Sequence, residues 1–182
     1  MNALDVLMWM DLEMTGLDAE RHAIVEIAAL ATDASTLDAV DDGISIVVHQ
    51  PDDVLAGMGE VVKAMHQRSG LLDEVRASTV GLEEAGARVL EYIKTHAPTP
   101  RTTPLCGNSI GMDRRFLSRY LPEIEEHLHY RSIDVSSLKE LCRRWYPEPF
   151  RARPEKTEGH RALDDIRASI DELRYYRETI FK

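Results

Sequence analysis

The hydrophobic period changes part-way along this chain, and that change limits the folds open to it. The first third carries strand-like runs. Val6–Met14, Ile24–Asp33 and Ile44–Pro51 are short, apolar and rich in β-branched residues, and the turn-prone "TGLDAERH" and "DAVDDG" link them. They read as an antiparallel meander. Helical spacing follows: Leu82, Ala85, Val89, Tyr92 and Ile93 recur along Gly81–Ala97 at helical intervals. Short apolar segments then alternate with helical ones. "PLCGN" reads as a buried strand, "MDRRFLSRYL" as a helix and Tyr130–Val135 as a strand. A helix with Leu138, Leu141, Cys142 and Trp145 on one face comes next, then the proline-rich loop "YPEPFRARPEKTEG". The last helix runs from about Arg161 to Ile180, striped with Leu163, Ile166, Ile170 and Leu173. Hairpins followed by strand–helix crossovers predict a mixed α/β sheet with helices packed on it.

The 182 residues carry a net charge of −10. A protein that grips long duplex nucleic acid neutralises many phosphates and is usually basic, so this balance argues against such a partner. Cys106 and Cys142 are too few for a disulfide framework and lack zinc-site spacing. No apolar run approaches the roughly 18 residues of a membrane span, and the N-terminal stretch lacks the basic start of a signal peptide. A cytoplasmic protein without a membrane partner is the expectation.

The acids carry the chemistry. Strand alternation puts Asp11 and Glu13 on one face with Leu7 and Trp9, at the end of an apolar run. A strand running out into solvent would explain two such acids. So would a divalent cation, which takes carboxylate oxygens and offsets their repulsion. Asp113 follows "CGNSIGM" in the first turn of a helix. The helix dipole favours an acid there, and so does a ligand site at the C-terminal edge of a sheet. In "GHRALDDIRASI", Asp164 and Asp165 open the last helix behind His160, a residue whose ordinary pKa suits proton abstraction from water. Arg114–Arg115 and Arg143–Arg144 read as solvated faces or ion-pair partners, and Arg151, Arg153 and Lys156 as cations of an ordinary loop. Taken together, four acids and a histidine converging on one sheet edge are what two-metal phosphoryl transfer requires.

"DLEMTGL", "GNSIGMDRRFL" and "HRALDD" resemble the three motifs of the DEDDh exonucleases, which have the ribonuclease H-like fold. "MHQRSGL", "YRSIDVSSLKEL" and "ELRYYRE" extend the similarity to the oligoribonuclease family over nearly the whole chain. The resemblance implies one exonuclease domain over residues 1–182. It implies 3′→5′ hydrolysis of short single-stranded RNA, dinucleotides included, to nucleoside 5′-monophosphates with two Mg²⁺ or Mn²⁺ ions. Asp11, Glu13, Asp113 and Asp165 match the metal ligands, Asp165 rather than Asp164 because four residues separate the family's histidine from its acid. His160 matches the general base. A homodimer is implied, with Tyr130 reaching toward the neighbouring subunit's site. Arg131, His66 and Ser109 match phosphate contacts, and Leu17 a base wedge. One departure stands out: Val61 occupies the position where many members carry a tryptophan. A proofreading exonuclease with the same motifs would call for a basic groove or a polymerase partner, and a non-catalytic module for degenerate ligands. The sequence displays neither feature.

Overall fold

The computed structural model describes residues 6–154 and 161–181. Its centre is a five-stranded sheet in the order β3-β2-β1-β4-β5. The strands are β1 (Val6–Met14), β2 (Ile24–Asp33), β3 (Ile44–Val47), β4 (Pro104–Gly107) and β5 (His129–Asp134). β1 and β2 pair antiparallel, as do β2 and β3. β1–β4 and β4–β5 are parallel. The mixed sheet matches the expectation from the sequence. The third strand stops four residues short of its expected end.

The helices are α1 (Asp52–Leu55), α2 (Glu60–Arg68), α3 (Leu71–Ala77), α4 (Leu82–His96), α5 (Gly111–Tyr120), α6 (Pro122–His127), α7 (Val135–Trp145), α8 (Pro147–Ala152) and α9 (Ala162–Thr179). The first three fill a stretch with no sequence-based assignment. They bury Leu55, Met58, Leu71, Leu72 and Val75 against Val25 in a small core of their own. α8 occupies part of the expected loop. Its Pro147 sits in the first turn, where a missing amide hydrogen costs nothing.

β1 is central because both its faces are apolar. Met8, Met10 and Leu12 pack on one side with Val89 and Ile93 of α4 and Phe116 and Leu117 of α5. Trp9 lies on the other side with Ala28 and Leu30 of β2 and Ile166 and Ile170 of α9. Trp9 is fully buried, and its indole N–H donates to Thr32 Oγ1 at 2.9 Å, so its one polar atom is satisfied. α7 forms as its spacing predicts. Of its apolar stripe only Cys142 is fully buried, while Leu141 and Trp145 stay exposed beside Phe181. No helix among the described residues is long and apolar enough to cross a membrane.

Candidate active site

The site lies where β1 runs out of apolar residues. Register places Asp11 opposite Ala28 and Glu13 opposite Glu26, on the sheet face that α9 covers. The register shifts between Glu13 and Met14, which pairs with Ile24, so Val25 of β2 is the extra residue of a β-bulge. Bulges bend a strand and re-aim its side chains, and they gather beside active sites. α9 brings Asp165 across the same face. One carboxylate oxygen from each of Asp11, Glu13 and Asp165 lies within 4.8 Å of the others. Glu13 is buried and the other two are half-buried. Asp164 points away, exposed, toward Arg167 at 3.3 Å.

Asp113 approaches from α5. It is buried, and its Oδ1 accepts the backbone N–H of Leu12, the residue between Asp11 and Glu13, at 3.0 Å. Burial pushes its carboxyl up to about 7. The charge of Asp134 adds to the rise, and the Leu12 amide opposes it. Among the described residues, the group with metal-ligating geometry is Asp11, Glu13 and Asp165, with Asp113 bonded to the strand between them. Carboxylate oxygens are the donors that a hard divalent cation takes. This set fits one, and a cation would also relieve the repulsion of clustered acids. His160 and Lys156 lie outside the described residues.

Of the expected substrate contacts, His66 lies beside this centre. His66 of α2 is buried. Its Nε2 lies 2.9 Å from Met14 O, which can only accept, so Nε2 carries the proton. Its Nδ1 faces Glu13 at 3.9 Å. Leu17 is 68 % exposed on the loop after β1. That loop is held from below: the Tyr120 hydroxyl contacts the carbonyls of Ala19 and His22, and the His22 ring lies flush against Gly16. Ser109 adopts φ +56°, a left-handed conformation unusual for serine. Its N–H donates to Asp134 Oδ1 and Ser136 Oγ, which hold it there. Val61 is exposed on α2.

Tyr130 is 74 % exposed, its ring stacked on His129 and close to the Arg131 guanidinium. A strand aromatic serving only its own core would be half-buried, and this one is not. Arg114 is no solvated face. It is mostly buried, ion-paired with Glu125, and bonded to Ser132 Oγ and the His129 carbonyl. Arg143 and Arg144 both pair with Glu140.

Residues 8–173 match the family described as Exonuclease. The oligoribonuclease of Mycobacterium avium (strain 104) is 56 % identical over 177 residues, covering 97 % of this chain and 82 % of that protein. The chain belongs to the oligoribonuclease family. The oligoribonuclease of Rhodococcus jostii (strain RHA1) is 55 % identical over the same share of the chain and 88 % of its own length. Membership makes the chain a 3′→5′ exonuclease, a hydrolase. Solved structures agree on the fold. Exonuclease I of Methylocaldum szegediense superposes with a TM-score of 0.71 at 21 % identity, and a zinc-bound E. coli exonuclease I–single-stranded DNA complex with 0.73 at 16 %. The chain spans 41 % of each of those longer proteins.

Sequence reasoning passed over one element of the site. Glu26, an acid inside the apolar run "IVEIAALA", is almost completely buried and paired with Arg161. A charge in a strand otherwise apolar on both faces was the available signal.

Proposed function

We propose that this exonuclease acts on short single-stranded RNA of roughly two to five nucleotides, linear dinucleotides included, by two-cation catalysis. It releases nucleoside 5′-monophosphates from the 3′ end. The observation that carries this reading is the convergence of Asp11, Glu13 and Asp165 beside Asp113 in a chain of the oligoribonuclease family.

Asp11, Glu13, Asp113 and Asp165 would hold two Mg²⁺ or Mn²⁺ ions. Bound there, the cations supply Lewis acidity and stabilise charge on the attacking and leaving oxygens. His160, five residues before Asp165, takes the proton of the attacking water. Leu17, exposed on a pinned loop, wedges against a base. Ser109 and Arg131 engage phosphate. His66 matches a third phosphate contact; its ring is buried against Met14 O and Glu13, so reaching phosphate requires the ring to turn out of that position. The chain works as a homodimer, and Tyr130 reaches the partner's site. Its exposure supports that role, and the exposed apolar side chains Leu141, Trp145 and Phe181 offer further surface for an interface.

The test is an end-labelled RNA ladder digested with Mg²⁺, with and without EDTA, beside Asp11→Ala. Dinucleotides should disappear, and both EDTA and the substitution should stop the reaction. Persistence of dinucleotides while long RNA or DNA is degraded defeats the short-RNA reading. Full activity of Asp11→Ala defeats the metal-site reading.

A further inference from the structure

Arg161 sits at the start of α9, four residues before Asp165. Its guanidinium bridges two acids from different parts of the chain. One edge meets Glu26 of β2, with Nη2 3.1 Å from Oε1 and Nε 3.2 Å from Oε2. The other forms a parallel pair with Glu74 of α3, at 2.9 and 2.8 Å. Glu26 is 1 % exposed and would be costly there without a partner. It is well supplied: Ser45 Oγ donates to it at 2.8 Å, and Ala162 N, the first amide of α9, at 3.3 Å. Arg161 gives the helix no side-chain cap of its own, so an acid on the sheet performs that service for α9.

We propose that Arg161 is the positioning residue of the candidate metal site, locking the first turn of α9 to the sheet so that Asp165 meets Asp11 and Glu13; this rests on the metal-site reading above. The links are short. Glu26 stands directly opposite Glu13 in the strand register. Arg161 and the Ala162 amide fix the helix start to Glu26, and Asp165 N donates to Arg161 O at 3.0 Å in the first helical turn. Asp165 is thus one turn from the clamp, and Glu13 one strand away from it. Glu74 adds a third wall, tying in the helical segment that carries His66.

Electrostatics makes the sign of the effect diagnostic. Arg161 is a cation close to a cation site. If it were only a neighbouring charge, its removal would tighten divalent binding. If it sets the geometry, its removal weakens binding, as loss of groups supporting metal ligands does by about tenfold or more. The experiment measures Mn²⁺ binding to the full chain by calorimetry, without substrate, for wild type, Asp11→Ala, Arg161→Gln and the charge-balanced pair Glu26→Gln/Arg161→Gln. Arg161→Gln should lose about tenfold in affinity. Affinity equal to or tighter than wild type overturns the proposal. Should Arg161→Gln fail to fold by circular dichroism, the pair decides: a loss of about threefold or more sustains the proposal and a smaller one overturns it. Equal Mn²⁺ affinity in wild type and Asp11→Ala instead identifies a failure of the metal-site reading, and the role of Arg161 falls with it.

Discussion

Replacing Asp113 with asparagine should stabilise the metal-free protein while disabling it. The carboxyl is buried and its pKa is raised from 3.8 to about 7, chiefly by burial. The folded state therefore keeps a proton on Asp113 that the unfolded chain releases near pH 4. The stability this confers is complete below about pH 4 and is lost as pH rises through about 7. The shift is about three units, which at 1.36 kcal/mol per unit sets an upper bound of about 4 kcal/mol. Asparagine has nearly the same shape and retains an acceptor for Leu12 N, 3.0 Å away in the wild type, but never ionises. In EDTA, urea unfolding of the two proteins should agree near about pH 4 and diverge above it, the variant ahead by about 2–4 kcal/mol at pH 8. With Mn²⁺ the order should reverse, because a neutral amide replaces a carboxylate ligand. A difference that stays constant from about pH 5 to 8 would refute the assignment of a buried, proton-holding Asp113.

Saturating Mg²⁺ or Mn²⁺ should raise the melting temperature of the wild type, and Asp11→Ala should largely remove that rise; equal shifts in both proteins would count against the acidic cluster as the binding site. Val61→Trp should tighten dinucleotide binding by about 1 kcal/mol or more without lowering the melting temperature, since Val61 is 83 % exposed; unchanged KM in steady-state assays would contradict this. Gly16→Ala should lower activity, because an added Cβ would lie 2.5 Å from His22 Nε2 and the Leu17 loop would have to move; His22→Ala in the same chain should restore part of the loss, and no loss in the single variant would remove the pinned-loop argument. Tyr130→Ala should leave the melting temperature within about 0.5 kcal/mol equivalent, as exposed positions do, yet reduce turnover; full turnover, or a purely monomeric wild type by light scattering, would exclude the cross-subunit role.

The legible parts of the chain are those whose signal is local. β1 and β2 begin and end where their apolar runs do, and α4 buries the Ala85, Val89 and Ile93 stripe that its spacing defines. Residues 52–77 were silent because their three helices are short and largely polar outside, and bury their few apolar residues in a separate small core. The prolines of "YPEP" looked like breakers, yet Pro147 starts α8, just as Pro122 starts α6. In α7 the spacing reveals an apolar face but not what covers it. At the site, residue types and their order indicate the acids. Residue types alone leave Asp164 and Asp165 open, and only the family's spacing from His160 prefers Asp165; the Glu26–Arg161 pairing spans 135 positions, beyond any local pattern.

That pairing bears on how two acids can end an apolar strand. The face holding Asp11 and Glu13 also holds Glu26, and Asp165 closes over it, so four carboxylates share one small region. Arg161 is committed to Glu26 and Glu74, neither of which belongs to the three-carboxylate group. The protein's own cation thus satisfies the most deeply buried of these acids. A fixed arginine among Asp11, Glu13 and Asp165 would stabilise the fold but compete for the oxygens a divalent ion needs. Placing it one strand away lets the sheet tolerate the charge of Glu26 while leaving the oxygens of Asp11, Glu13 and Asp165 clear of a fixed arginine. Above about pH 7, removing Arg161 and removing Asp113 should therefore act in opposite directions on the metal-free protein: one leaves the buried charge of Glu26 without its partner, and the other deletes a buried charge.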